Sequence, residues 1–335
     1  MAEMDRGDLI YMFPGQGAQE RKMCMDVHKK YERAKQIWDI ASDIYGDDLV
    51  DICKNRPFRE MQLTDRAQML INTCNIVMYE LAKAEGVVPD IVMGHSAGEL
   101  SALYAADAVG LEDILYLVKC RGKFMYESAA SSSGKMIAVK NLDTFKVQSK
   151  INECQRFGTI CLANHNSASQ CVVSGDVEVV KQFEQEICND SECEIIDLKQ
   201  QGAWHSPHME EAKLRFRQEL SKIRVSAPKI PIILNYSADF VTTSKEIRYQ
   251  LTEILTSTVN WYTSLKKIYD IYKPLDCPVP TFAEMGPNKI LRGLLRKSFQ
   301  HLSFVDYEIL NVNDSLSLER MINKMTKKQR TSIAV

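Results

Sequence analysis

One pentapeptide decides the fold of this chain: Gly94-His95-Ser96-Ala97-Gly98. It follows a short apolar run, Ile91-Val92-Met93, and precedes a helical pattern from Glu99 to Ala106. A strand, a tight Gly-x-Ser-x-Gly turn and a helix together form the context of a nucleophile elbow. The pentapeptide therefore predicts an α/β fold that presents a reactive Ser96.

The glycines and the residue after the serine have separate tasks in such a turn. A side chain at Gly94 or Gly98 would crowd the strand or the helix that the backbone must pass. The turn lifts the Ser96 hydroxyl away from the sheet and aims the backbone N–H of Ala97 at the atom under attack. That N–H lies at a helix N-terminus, where negative charge is favoured. The pattern thus predicts nucleophilic catalysis by serine.

The composition indicates an ordinary globular protein. The 335 residues suffice for one large domain with an insertion or for two domains, and 45% of them are hydrophobic and 26% charged. A net charge of -2 argues against a nucleic-acid binder, and no apolar run is long enough to span a bilayer. The polar N-terminus lacks a signal-peptide core, so we expect a cytoplasmic protein. The ten cysteines show no zinc-ligand spacing, which predicts reduced thiols and no metal site.

The texture of the sequence divides the chain into two regions. From Lys135 to about Leu198, short apolar runs and helical patterns follow the order β-α-β-β-α-β of a ferredoxin-like unit. We therefore predict a large α/β subdomain formed by residues 1–133 and 199–335, with a small ferredoxin-like subdomain, residues 134–198, inserted into it. The charged tail from Lys324 to Val335 is expected to be a loose end or a linker remnant.

A serine nucleophile needs a base and often a group that binds the substrate. Among the six histidines, His95 is set aside as a supporting residue, and His205 and His208 remain as candidate bases, with His205 ahead on spacing. Arg121 lies near the end of an apolar helix. It is expected either to grip a substrate carboxylate through two parallel hydrogen bonds or to satisfy the helix macrodipole, and the sequence alone favours the second interpretation. Both questions stay open at the level of the residues.

Five motifs occur in the order seen in malonyl-CoA:acyl-carrier-protein transacylases, a family that includes the acyltransferase domains of polyketide synthases. They are Phe13-Pro14-Gly15-Gln16-Gly17-Ala18-Gln19, Gly94-His95-Ser96-Ala97-Gly98-Glu99, Arg121-Gly122-Lys123-Phe124-Met125, Asn164-His165-Asn166 and Glu284-Met285-Gly286-Pro287. The chain resembles this family from about residue 9 to about residue 300. The resemblance implies an α/β-hydrolase-like large subdomain that carries a ferredoxin-like small one.

The resemblance also implies roles for individual residues. Ser96 resembles the acylated nucleophile and His205 the base, and Gln16 and the Ala97 N–H resemble the oxyanion hole. Arg121 resembles the clamp on the malonyl carboxylate. The segment Thr258-Val259-Asn260-Trp261 resembles the one whose backbone carbonyl orients the histidine. The other substrate-binding positions that the motifs imply are Gln68, His95, Asn164 and Asn260.

The implied activity is transfer of a malonyl group from malonyl-CoA to the phosphopantetheine thiol of an acyl carrier protein through a seryl ester. The chain would act as a free-standing, monomeric acyltransferase of fatty acid or polyketide biosynthesis, without a cofactor of its own. Two alternatives remain: an acyl hydrolase of the same family that clears stalled carrier proteins, and a non-catalytic docking module for carrier proteins. Arg121 favours transfer. Ala97 and Gly202-Ala203-Trp204 depart from common family patterns, which leaves malonyl versus methylmalonyl open.

Overall fold

The computed structural model describes residues 8–131, 133–187, 193–199, 202–274 and 279–333, with side chains described through residue 328. Its strands are β1 (Leu9–Phe13), β2 (Ile91–Gly94), β3 (Gly134–Lys140), β4 (Ile160–Ser167), β5 (Gln170–Asp176), β6 (Glu194–Asp197), β7 (Ile232–Leu234), β8 (Asp239–Val241), β9 (Thr281–Met285) and β10 (Glu308–Val312). Its helices are α1 (Met25–Lys30), α2 (Glu32–Tyr45), α3 (Leu49–Lys54), α4 (Phe58–Met61), α5 (Thr64–Ala84), α6 (Gly98–Ala105), α7 (Leu111–Ser131), α8 (Thr144–Cys154), α9 (Val177–Ile187), α10 (Glu210–Lys222), α11 (Ser244–Glu253), α12 (Trp261–Tyr272), α13 (Ile290–His301) and α14 (Ser315–Ile333).

The larger sheet has six strands in the order β10-β9-β1-β2-β7-β8. Neighbouring strands from β10 to β7 run parallel, and β8 turns back antiparallel to β7. All five residues of β1 are buried, which explains why this strand is a continuous apolar run without alternation. The register pairs Phe13 with Gly94, so the loop after β1 and the turn after β2 emerge side by side at the carboxyl edge of the sheet.

The smaller sheet is antiparallel, with the order β4-β5-β3-β6. Together with α8 and α9 it follows the predicted β-α-β-β-α-β order, and it encloses a separate core that includes Ile137, Val147 and Phe183. The predicted fold class, a large α/β subdomain with an inserted ferredoxin-like one, is confirmed. We keep 134–198 as the proposed limits of the insertion, of which residues 188–192 lie outside the described part of the chain.

A short stretch of backbone pairing connects the large subdomain to the small sheet. Val259 precedes α12 in the large subdomain and pairs in parallel with Asn164 of β4. The His165 N–H donates to the Val259 carbonyl, and the Val259 N–H donates to the Ala163 carbonyl, each at 2.9 Å. This contact fixes the small sheet beside the carboxyl edge of the large one, and a cleft lies between them.

The tail is helical, so the prediction of a loose end was wrong. Helix α14 extends from Ser315 to Ile333; residues 334–335 lie outside the described part. Leu318, Met321 and Met325 are buried, and their spacing of three and four residues places them on one helical face. Lys324 contacts Glu308 of β10 at 2.9 Å. The lysines of the tail therefore lie on an amphipathic helix that packs against the rest of the protein.

The described residues contain free cysteines but neither a helix that could cross a membrane nor a cluster that could hold a metal ion. No described helix combines the length and the apolar character needed to cross a membrane. The described cysteines carry free thiols, whereas Cys188 and Cys277 lie outside the described residues. Within the described ranges, no group of three or more His, Cys, Asp or Glu side chains is arranged to hold a metal ion.

Candidate active site

The turn between β2 and α6 has the geometry of a nucleophile elbow. Ser96 adopts the left-handed conformation, with φ of 51°, which L-residues seldom accept without support from their surroundings. A Cβ on Gly94 would lie 2.2 Å from the carbonyl carbon of Gly98, and a Cβ on Gly98 would lie 2.1 Å from the Phe13 oxygen. Both positions therefore require glycine because backbone passes directly over them.

Ser96 lies against the side chain of His205, 109 residues further along the chain. The Ser96 Oγ is 2.7 Å from His205 Nε2, and His205 Nδ1 is 2.8 Å from the Ile254 carbonyl oxygen. Since a carbonyl only accepts, Nδ1 carries the proton and Nε2 is free to receive one from the serine. Burial, assisted by the positive charge of Arg121, lowers the pKa of His205 to about 3. The imidazole is therefore neutral at pH 7, as a general base must be.

The other candidate base, His208, points elsewhere. His208 Nε2 lies 2.8 Å from an oxygen of Asp176, the last residue of β5 in the small subdomain. The structure thus separates the two histidines that the sequence left open. His205 meets the serine, and His208 ties its own loop to the small subdomain.

The carbonyl that orients His205 differs from the one expected. The resemblance pointed to Thr258-Val259-Asn260-Trp261, but the acceptor is Ile254, the first residue of a short 3-10 turn at Ile254–Thr256. Asn260 does not line the cavity at Ser96 either, because its side chain donates to the Tyr236 carbonyl at 3.0 Å and its N–H to the Asn235 carbonyl. The expectation that Asn260 contacts substrate is therefore not supported, and this residue braces the loop after β7.

Arg121 brings a buried cation to the serine. It is only 3% exposed; Nη2 lies 3.2 Å from Ser96 Oγ, and Nη1 donates to Gln68 Oε1 at 2.7 Å. Both partners are neutral groups. Burial lowers the pKa of Arg121 to about 10, so the guanidinium remains charged at pH 7, and burial raises the pKa of nearby Glu99 to about 8. Gln68 sits behind the arginine, with its amide on Met125 Sδ, and is absent from the cavity wall.

The loop after β1 packs directly on the elbow. A Cβ on Gly15 would lie 2.2 Å from the His95 carbonyl oxygen and 3.4 Å from the Ala97 nitrogen. The Gln16 side chain donates to Thr64 Oγ1 at 3.1 Å, and Gln16 lies in the wall of the cavity at Ser96. This close approach of two backbone segments requires glycine at position 15.

The backbone N–H groups of the elbow have different partners. The Ser96 N–H donates to Asn235 Oδ1 at 2.7 Å. The Ala97 N–H makes no hydrogen bond to another described residue, and Ala97 is the N-cap of α6. The structure therefore leaves the Ala97 N–H, at the positive end of a helix, as the elbow's available donor.

These groups face a cavity of about 230 Å³ between the two subdomains. His95 lies in its wall, with Nε2 2.9 Å from Asn166 Oδ1, and Asn164 of β4 lines it from the small subdomain. The apolar part of the wall consists of Pro14, Met125, Met136, Ala138, Val172, Leu198, Trp204, Ile290, Leu291 and Leu294. The structure thus brings together six of the predicted positions, Gln16, His95, Ser96, Arg121, Asn164 and His205. Ala97 follows Ser96 in the elbow but does not line the cavity.

A family model described as "Acyl transferase domain" matches residues 10–332. The chain belongs to the acyl transferase domain family. It is similar to the malonyl CoA-acyl carrier protein transacylase of Bacillus subtilis (strain 168), with 31% identity over 298 residues that cover 89% of this chain and 92% of the relative. Among solved structures, it is similar to the transacylase of the same name from Coxiella burnetii, with a TM-score of 0.88, 25% identity and coverage of 96% of this chain and 99% of that one. A type II PKS acyl-carrier protein in complex with its malonyl-transacylase also matches, with a TM-score of 0.87, 25% identity and coverage of 95% and 100%.

Three supporting residues of this acyl transferase domain were not identified from the sequence. They are Asn235, Glu99 and Ile254, which contact Ser96, Asn235 and His205 respectively. Asn235 carried a usable signal, because it is a polar residue directly after the parallel strand β7, and carboxyl ends of parallel strands meet at one edge. Ile254 carried none, since only its backbone carbonyl takes part.

Proposed function

We propose that this acyl transferase domain transfers a malonyl group from malonyl-CoA to the phosphopantetheine thiol of an acyl carrier protein, with a malonyl ester of Ser96 as the intermediate. The observation that carries the proposal is the position of Ser96 Oγ, 2.7 Å from a neutral imidazole and 3.2 Å from a buried guanidinium. The first group makes the hydroxyl nucleophilic, and the second selects an acidic acyl group. The relatives that the chain resembles carry the name of this activity.

The acylation half-reaction uses the groups that face the cavity. Ser96 Oγ attacks the thioester carbonyl carbon as its proton moves to His205 Nε2. The resulting oxyanion accepts hydrogen bonds from the backbone N–H groups of Ala97 and Gln16, each worth ~3 kcal/mol in the transition state. The C–S bond then breaks, and the proton on His205 passes to the departing CoA sulfur. The acyl group stays on Ser96 as an ester.

Arg121 supplies the selection. A carboxylate binds a guanidinium through two parallel charge-assisted hydrogen bonds, which a neutral acetyl group cannot make. Burial is the main cause of the lowered pKa of His205 and the positive charge of Arg121 is the second, and the malonyl carboxylate compensates that charge. Binding of the acidic acyl group is therefore expected to strengthen the base next to it, because the cation no longer opposes protonation of the imidazole.

The second half-reaction repeats the chemistry with a thiol. The phosphopantetheine thiol gives its proton to His205 and attacks the ester carbonyl, and Ser96 Oγ leaves with that proton. The proposal requires no metal or organic cofactor on this chain, since the phosphopantetheine belongs to the carrier protein. We propose that the chain acts as a cytoplasmic monomer in fatty acid or polyketide biosynthesis. The buried cation at Arg121 supports transfer over hydrolysis, because hydrolases of the family that the chain resembles tend to lack this arginine.

Intact-protein mass measurement after incubation with malonyl-, methylmalonyl- and acetyl-CoA tests the proposal. The wild-type protein should gain one malonyl group, Ser96→Ala should gain none, and a phosphopantetheinylated carrier protein should remove the group from the wild type. Loss of the group to water without carrier protein would identify a hydrolase. A wild-type protein that no acyl-CoA modifies would instead match a docking module.

A further inference from the structure

The side chain of Asn235 lies against the backbone of the elbow. Asn235 is fully buried and directly follows β7. Its Oδ1 accepts the Ser96 N–H and its Nδ2 donates to the Gly94 carbonyl, both at 2.7 Å. A carboxamide offers the same donor and acceptor as a peptide group. The side chain thus continues the pairing of β7 with β2 beyond the point where β2 leaves the sheet.

The backbone of Asn235 is held as firmly as its side chain. Its N–H donates to a carboxyl oxygen of Glu99 on α6, and its carbonyl accepts the Asn260 N–H at 3.1 Å. Asn260 is itself anchored on the Tyr236 carbonyl. Every polar group of Asn235 therefore has a partner, and the amide cannot rotate without breaking several buried hydrogen bonds.

This contact bears on the two features that acyl transfer requires of the elbow. Ser96 is in a left-handed conformation that the chain adopts only when its surroundings enforce it. The two hydrogen bonds of the Asn235 amide hold the backbone at this residue, one at the Ser96 N–H and one at the Gly94 carbonyl. The amide also occupies the Ser96 N–H, so the Ala97 N–H is the donor left for an oxyanion.

We propose that Asn235 is a positioning residue for acyl transfer, which holds Ser96 in the left-handed conformation that places Oγ on His205. The proposal rests on the role of Ser96 as nucleophile. Asn235 touches neither the base nor the cavity and acts through the serine backbone. The proposal predicts that the acylation rate depends on the hydrogen-bonding groups of this side chain and not only on its volume. The site needs one acceptor toward Ser96 and one donor toward Gly94.

Replacement by aspartate gives a signature that a merely structural role would not produce. An ionised carboxylate would still accept from Ser96 but would set a negative oxygen against the Gly94 carbonyl. A protonated carboxyl restores the donor, and burial raises the pKa of such a carboxyl. Acylation of Asn235→Asp is therefore expected to increase as the pH falls, whereas the wild type, whose base must be neutral, gains nothing on acidification.

The experiment measures the rate of Ser96 acylation by the acyl-CoA that modifies the wild type, together with labelling of Ser96 by a phosphonofluoridate, across pH. Asn235→Ala should lower the acylation rate constant about 10²-fold, because displacement of a reacting group such as the Ser96 hydroxyl by about 1 Å lowers the rate by this factor. The half-saturating acyl-CoA concentration should change little. Asp48→Ala is the control, because Asp48 caps α3, which supplies no residue to the cavity. It should lower the thermal midpoint and keep the wild-type rate.

The outcomes separate this inference from the proposed function. Asn235→Ala at the wild-type rate, or a pH profile of Asn235→Asp that parallels the wild type, would overturn the inference. If Asn235→Ala does not fold, the profile of Asn235→Asp alone decides. A wild type that no acyl-CoA modifies would overturn the proposed function, and the phosphonofluoridate labelling would still test the positioning of Ser96.

Discussion

The guanidinium of Arg121 and the hydroxyl of Ser96 are within hydrogen-bond distance, with Nη2 3.2 Å from Oγ. The cation is fixed from behind by Gln68 of α5, so α5 and α7 together decide where it lies. Because it is buried and its two partners are neutral, its charge acts on whatever enters the cavity. It also acts on His205, because this positive charge, after burial, is the second cause of the lowered pKa of the imidazole. Substrate choice and base strength therefore depend on the same side chain.

Arg121→Ala is expected to reverse acyl selectivity. Loss of the charge-assisted hydrogen bonds to the malonyl carboxylate should cost about 3 kcal/mol, or ~10²-fold in acylation by malonyl-CoA. Acylation by acetyl-CoA should be unaffected or faster. Competition between the two acyl-CoAs, read by intact-protein mass, measures the ratio. An unchanged ratio would remove Arg121 from the proposed role of clamp.

The pH dependence of Ser96 labelling should reveal the environment of His205. With a pKa near 3, the imidazole stays neutral to low pH, so labelling by an uncharged phosphonofluoridate should not decline near pH 6.5. In Arg121→Gln the neighbouring positive charge is gone, so the pKa of His205 should rise and the acid limb should move to higher pH. A wild-type limb near pH 6.5, unchanged in Arg121→Gln, would contradict this account.

The same lowered pKa affects stability. The neutral form of His205 is favoured in the folded state, since its folded pKa lies below the value of 6.5 for the unfolded chain. Its contribution is fully present above pH 6.5 and is lost as the pH falls from 6.5 toward 3, at about 1.4 kcal/mol per pH unit. Denaturant unfolding of the wild type and His205→Gln across this range measures it. The wild type should lose stability more steeply, and equal slopes would refute the prediction.

Local patterns carried the predictable part of this fold. The elbow could be found because its strand, glycines and serine occupy eight consecutive residues, Ile91–Gly98. The small subdomain could be found because its strands and helices follow one another along the chain. The missed contacts join distant segments: Asn235 meets Ser96 across 139 residues, and the Ile254 carbonyl meets His205 across 49. A backbone carbonyl leaves no trace in residue identity, and only the fold determines which one reaches the imidazole.

The two histidines that the sequence could not separate should respond differently to removal. His205→Ala removes the base and is expected to lower acylation by ~10³-fold. His208→Ala removes a partly exposed contact with Asp176, which is expected to cost less than about 1 kcal/mol of stability and to leave acylation near the wild-type rate. Acylation rates and thermal midpoints of both variants decide the matter. A large rate loss in His208→Ala would show that its contact with the small subdomain matters for catalysis.

Two helical glycines are expected to respond differently to alanine, because a methyl group would meet another helix at one position and open space at the other. At Gly122, next to Arg121 on α7, a Cβ would lie 2.9 Å from the Asp65 Cα of α5, so Gly122→Ala must push the two helices apart. That should cost about 1–3 kcal/mol and displace Arg121 from Gln68, which weakens selection of malonyl. At Gly293 of α13 a Cβ would have no atom within 4 Å apart from its chain neighbours and the nearby backbone of its own helix, so Gly293→Ala should add up to about 1 kcal/mol of stability. Denaturant unfolding measures the stability effects, and the ratio of acylation by malonyl-CoA to acylation by acetyl-CoA measures selectivity. A Gly122→Ala protein with wild-type stability and selectivity would show that the spacing of α5 and α7 does not set the position of Arg121.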